Sequence, residues 1–226
     1  MRNKVLSPYD WFLILGVLAS NIAYSIMSDE LDLIGSITSV AGVLCVVLVA
    51  KGNIWNYLFG LINVSMYAYV SFKATAFGDA ALNALYYLPM QFIGYFAWKK
   101  RVDDTQVRAR RLSMKQRAVV AAGCLVLTAS LGVVLQYLGD GQPFKDATTT
   151  VLSIVAQALM AMAFMEQWVL WILTNVISVV MWMIFAVQGA PHAALMVIMW
   201  SFYLLNSING LRVWLKLSSG AEVNQD

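Results

Sequence analysis

Residues 168–182 read WVLWILTNVISVVMW, an apolar run studded with tryptophan and interrupted by one amide, Asn175. At about 100° per residue in a helix, Trp168, Trp171, Asn175 and Trp182 fall near 0°, 300°, 340° and 320°, a stripe roughly 60° wide. Three indoles and an amide therefore share one side. An amide in hydrocarbon is expensive unless it faces protein or a cavity. The rest of the chain has the same character: of 226 residues, 61% are hydrophobic and 12% charged, and the mean hydropathy is +0.71. Soluble domains are nearer half apolar and a quarter charged. The composition is that of a single integral membrane domain, residues 1–226, with little left over for a soluble one.

Apolar segments bounded by charged or turn residues fall at 9–28, 31–50, 53–72, 79–98, 117–138, 147–165, 167–187 and 192–215, which predicts eight membrane helices of about 20 residues. Pro8 and Pro191 sit near helix starts, Pro143 lies in the loop GDGQPFKD, and Pro89 alone is interior, predicting a kink. Cys45 and Cys124 lie inside apolar runs and support neither a disulfide nor a thiolate site. Arg2 and Lys4 precede the first apolar stretch, but no small-residue cleavage site follows, so the first helix reads as retained. With loops numbered by side, 13 of the 15 Lys and Arg residues fall on the side of both termini. The positive-inside rule then makes both termini cytoplasmic. Most of that excess is the linker KKRVDDTQVRARRLSMKQR (99–117), which reads as a topology determinant; no nucleic-acid partner is implied.

The chain also repeats itself. A slide of 112 residues lays FGLIN, ending at Asn63, over WILTN, ending at Asn175. With four more residues in the following loop, Tyr87 lies over Tyr203, Gly94 over Gly210 and Trp98 over Trp214. Each half is three helices, 31–98 and 147–215, joined by the single helix 117–138, with 9–28 as an extra N-terminal helix. Three helices plus one linker helix restore the starting direction, so the repeats run parallel about an axis along the membrane normal. Asn63 and Asn175 then lie at matching depths near the midplane, facing the repeat interface.

Other polar residues gather on the same faces. They are Tyr67 beside Asn63; Asn83 and Tyr87, with Gln91 off their line; Gln157 with Ser153 and Met160; and Tyr203 and Asn206, flanked by Trp200. With Trp171, Asn175 and Trp182, and leaving out Ser153 and Met160, these form the candidate substrate-binding set of twelve residues. Trp168, nearer the helix end, reads as an interfacial anchor. Asp29, Glu30, Asp32, Asp79, Asp140, Asp146 and Glu166 fall at helix ends or loops, and the only histidine, His192, opens the last helix. A face without acid, base or histidine does not supply hydrolysis or group transfer, so an enzyme is not expected, nor a metal or cofactor. Indole and phenol faces with amides suit a flat ring that is neutral or a delocalised cation. Amides can equally be helix glue, which keeps a purely structural subunit open.

The segments WNYLFGLINV (55–64), LPMQFIGYFAW (88–98), DATTTVLSIVAQALM (146–160), EQWVLWILTNVISVV (166–180) and NGLRVW (209–214) resemble the PnuC family of bacterial nicotinamide riboside transporters. The resemblance implies an all-α membrane protein of eight transmembrane helices in a 3+1+3 arrangement similar to SWEET sugar transporters. It implies facilitative uptake of nicotinamide riboside across the bacterial inner membrane, driven by a cytoplasmic kinase that phosphorylates the substrate, and a homotrimer in the lipid bilayer. Its Trp-x-x-Trp-x-x-x-Asn signature falls on Trp168, Trp171 and Asn175, and its late Asn-Gly on Asn209 and Gly210. Gln157 and Trp182 depart from some members, and relatives carry thiamine or riboflavin, so another flat vitamin is the alternative cargo.

Overall fold

Asp32 opens the first core helix, its carboxylate accepting the backbone N–H of Gly35 at 2.8 Å, which satisfies one of the donors a helix start leaves unpaired. The computed structural model describes residues 6–28, 31–74, 77–103, 106–139 and 143–222. The helices are α1 (Pro8–Ser28), α2 (Leu33–Ala50), α3 (Asn56–Lys73), α4 (Phe77–Ala81), a π-helical segment (Leu82–Tyr87), α5 (Leu88–Lys99), α6 (Met114–Tyr137), α7 (Pro143–Ala161), α8 (Gln167–Val187) and α9 (Ala193–Glu222). Two antiparallel strands, β1 (Val102–Asp103) and β2 (Gln106–Val107), pair within the linker. Because α4, the π segment and α5 are continuous, the described residues hold the eight helices expected. Asp29, Glu30 and Asp140 lie outside the described residues.

Five helices, α1, α2, α6, α8 and α9, are long and apolar enough to cross a membrane by length and composition. α3 and α7 fall short because of polar residues such as Asn56 and Asn63 on α3 and Ser153 and Gln157 on α7, and the fourth helix because the π segment divides it into pieces of 5, 6 and 12 residues. α6 starts three residues earlier than expected because Ser113 and Gln116 form a reciprocal capping box. Pro89 does its work just upstream of itself: the N–H of Leu88 reaches back to Asn83 O, the five-residue bond of a π turn.

The internal repeat is visible in contacts that the two halves exchange. Trp98 of the first donates its indole N–H to Met160 O of the second at 2.9 Å, and Trp214 of the second donates to Val49 O of the first at 3.1 Å. A Cβ at Gly94 would meet the Tyr57 ring, and one at Gly210 the Trp168 ring. The α2–α3 turn passes through Gly52 at φ +64° and the α7–α8 turn through Ala163 at φ +61°. These pairs put the third helices 116 positions apart, as the sequence slide has it. The first two helices are 111 apart, not 112, as Gly52 to Ala163, Val49 to Met160 and Tyr57 to Trp168 agree. One residue is about 100° of helix rotation. Asn63 therefore corresponds to Thr174, and Asn175 to Val64.

The repeats meet through α2 against α9 and, more sparsely, α5 against α7. Two buried apolar clusters close the bundle. One, at the linker end, joins Val49, Tyr57, Trp98, Met160, Trp168 and Trp214. The other, toward the opposite end, joins Val43, Tyr67, Val70, Trp182, Met196 and Met199. α1 packs on both α2 and α9. The buried Asp10 carboxylate pairs with Lys51 at 2.6 Å, Tyr9 donates to Leu205 O at 2.9 Å, and Ser39 donates to Asn21 Oδ1 at 3.0 Å.

The basic linker is fastened to the bundle. Val107 N–H bonds to Gly52 O and Arg110 N–H to Ala163 O, each at 2.8 Å, so one segment ties down both helix turns. Arg110 lies over the Phe164 ring at 4.3 Å, Arg111 bonds to Leu215 O and Ser218 Oγ, each at 2.7 Å, and Arg117 pairs with Glu166 at 2.9 Å.

Candidate functional site

Between the two apolar clusters lies a cavity of about 770 Å³, its open mouth included. Ten of the twelve candidate residues line it: Asn63, Tyr67, Asn83, Tyr87, Gln91, Gln157, Trp171, Asn175, Trp200 and Tyr203. They come from every core helix except α2, which contributes Cys45, Val46 and Val49. No lining residue carries a formal charge at neutral pH, and among the described residues no cluster of His, Cys, Asp or Glu could hold a metal.

The π segment explains how Asn83, Tyr87 and Gln91 reach the same cavity. Residues four apart on an α-helix drift by about 40°. A π turn advances less per residue, so it takes that drift back between Asn83 and Tyr87. Gly94, one turn further on, packs against Tyr57.

The amides are not equivalent. Asn63 uses its NH2 within the bundle, donating to Thr38 O at 2.9 Å and to Met199 Sδ at 3.7 Å. Asn175 donates to Ser207 Oγ at 2.6 Å, while its buried Oδ1 has no protein partner. Gln91 Oε1, Gln157 Nε2 and Trp168 Nε1 are buried and unpartnered in the same way. The lining residues thus carry two acceptors and two donors without a protein partner, among aromatic rings. Buried polar atoms are rarely left unpaired, because each loses its hydration without compensation.

Tyr67 is the most constrained of the aromatic residues. Its hydroxyl accepts from Trp182 Nε1 at 2.6 Å and from Trp200 Nε1 at 3.1 Å, and donates to Asp79 Oδ2 at 3.1 Å. Trp182 and Asn206 do not line the cavity. Trp182 is fully buried behind Tyr67, and Asn206 ties α9 to α2 by donating to Val46 O at 2.7 Å. Trp168, read from the sequence as an interfacial anchor, is 2% exposed and on the lining. Its place on the stripe with Trp171 and Asn175 was the signal for it. The sequence reading also passed over Met199, an apolar residue, and Ser207, whose small hydroxyl is occupied by Asn175 and Tyr203 O.

Residues 32–216 match the family described as nicotinamide mononucleotide transporter. The chain is 40% identical to a nicotinamide riboside transporter PnuC of Neisseria mucosa over 81% of this chain and 72% of that protein. The chain belongs to the PnuC transporter family. It is also 35% identical to the PnuC protein of Haemophilus influenzae, with 91% of this chain and 88% of that one covered. A crystal structure of a vitamin B3 transporter PnuC superposes with a TM-score of 0.84 at 35% identity, covering 95% of this chain and 93% of that one. PnuC relatives are transporters, so this multi-pass membrane protein is a transporter and not an enzyme, with the all-α fold expected of it.

Proposed function

We propose that the chain carries nicotinamide riboside across the bacterial inner membrane by facilitated diffusion, through alternating access of the central cavity to either side. The observation that carries this reading is the set of unpaired polar atoms on an uncharged aromatic lining. A carboxamide needs an acceptor for its NH2 and a donor for its carbonyl, and ribose hydroxyls can use either. Asn175 Oδ1 and Gln91 Oε1 accept; Gln157 Nε2 and Trp168 Nε1 donate. The rings of Trp171, Trp200, Tyr87 and Tyr203 offer faces for a pyridinium. Asn63, Tyr67 and Asn83 complete the walls, with Trp182 and Asn206 acting from behind them.

The lining also favours the riboside over the mononucleotide that the family description mentions. A phosphate needs a cationic side chain or a cluster of N–H donors, and no Lys, Arg or His lines the cavity. With no charged lining group to couple a proton or sodium ion, net uptake is drawn by phosphorylation of the substrate inside the cell. Both termini are cytoplasmic in this reading, and the protein is a homotrimer in the bilayer.

The test is equilibration of labelled nicotinamide riboside into proteoliposomes that lack both proton and sodium gradients. Uptake to the external concentration, with binding to the purified protein stronger than that of thiamine, riboflavin or the mononucleotide, supports the proposal. Exclusion from the lumen without a gradient removes the mechanism, and tighter binding of thiamine or riboflavin removes the cargo.

A further inference from the structure

Among the described residues, Asp79 is a carboxylate tied directly to the cavity's wall, although it is not part of the lining. It sits on α4, where its carboxylate accepts the hydroxyl of Tyr67 at 3.1 Å and its backbone carbonyl accepts Asn83 Nδ2 at 2.9 Å. Both of those residues line the cavity. The Tyr67 hydroxyl cannot turn away, because Trp182 and Trp200 each donate to its oxygen, leaving its single proton for Asp79. The charges that act on Asp79 from α7 are Lys145 and Asp146. They are opposite in sign and pair with each other at 3.6 Å, so they largely offset one another.

We propose that Asp79, acting through Tyr67, gives the cavity its preference for a cationic ring over a neutral ring of the same shape. A phenol that donates to a carboxylate carries more negative charge on its oxygen and ring, which strengthens its attraction for a cation nearby. The carboxylate's own field adds to this through Tyr67, which is buried. An acid placed in the cavity itself would hold the cation too firmly and would bind protons or metal ions in its place. One hydroxyl removed, it biases the site without contacting the substrate. Asp79 is thus a positioning residue for charge, and the inference rests on the substrate reading above.

The test compares nicotinamide riboside with benzamide riboside, an uncharged ring of nearly the same shape, by titration calorimetry of the full-length protein in detergent. The wild type is expected to bind the cation roughly tenfold tighter or more. Asp79→Asn keeps an acceptor for Tyr67 and removes the charge. It should bring the two affinities close to parity, chiefly by weakening the cation, and Asp79→Glu should restore the preference. Tyr67→Phe, which breaks the link, should reduce the same ratio. A merely structural Asp79 would weaken both ligands equally, and that result overturns the proposal, as does an unchanged ratio in Asp79→Asn. If that variant does not fold, the wild-type ratio decides: equal affinity for the two ligands refutes the inference while leaving the transport reading intact. A wild type that binds neither ligand refutes the transport reading, and this inference with it.

Discussion

Asn63 and Asn175 look interchangeable in the sequence, and the structure gives them opposite roles. Asn175 keeps a buried oxygen free on the cavity wall, whereas the NH2 of Asn63 is engaged by Thr38 O and Met199 Sδ. Replacing Asn175 with Ala removes an acceptor that the proposed site offers the substrate. One lost hydrogen bond that leaves a partner unpaired costs about 2 kcal/mol, or roughly a thirtyfold rise in Kd. Its bond to Ser207 is also lost, but Ser207 still donates to Tyr203 O at 2.8 Å, so the fold should lose only about 1 kcal/mol. Asn63→Ala should show the reverse: the carbonyl of Thr38 loses a donor between α2 and α3, so stability falls by about 1–2 kcal/mol and Kd rises little. Calorimetry for Kd and thermal unfolding in detergent for stability read the two effects separately. Wild-type affinity in Asn175→Ala, or an equal loss of affinity in both variants, would refute this division.

Gly210→Ala pushes a methyl group into the Trp168 ring, so stability should drop by about 1–3 kcal/mol and Kd should rise as the indole is forced toward the cavity; unchanged thermal unfolding would contradict the packing. Trp98→Phe and Trp214→Phe remove the paired indole bonds to Met160 O and Val49 O, and each should cost about 1–2 kcal/mol; a large difference in their melting temperatures would count against the equivalence of the halves. Lys51→Met leaves the fully buried Asp10 without its ion-pair partner and should destabilise by about 3–5 kcal/mol. Adding Asp10→Leu should recover most of that loss in unfolding measurements, and no recovery would show that the pair is not what holds α1.

The stripe on α8 was legible because hydrocarbon and protein make different demands on opposite faces of one helix. Asn175 and Trp182 are buried, while Val169, Val176 and Val180 on the other side are about half exposed. The repeat was legible for the same reason, but its register was not. FGLIN and WILTN match best by letter one residue away from the alignment that the turns at Gly52 and Ala163 enforce. Likewise, Pro89 announced a distortion without saying that it would be a π turn rather than a bend, and only that choice brings Asn83 and Gln91 to one cavity. The arginines of the linker read only as a topology determinant because their partners, Ser218, Leu215 O and Glu166, are remote in the chain. Asp79 read as a helix-end acid for the same reason: its bond to Tyr67 is a tertiary contact that no local pattern records.

The most direct measurement is a crystal structure of the protein with nicotinamide riboside. The ring should lie among the aromatic faces between the two apolar clusters, with its polar edges on Asn175, Gln157 and Gln91. Substrate bound elsewhere, with those three amides turned into the bundle and paired with protein, would contradict the account.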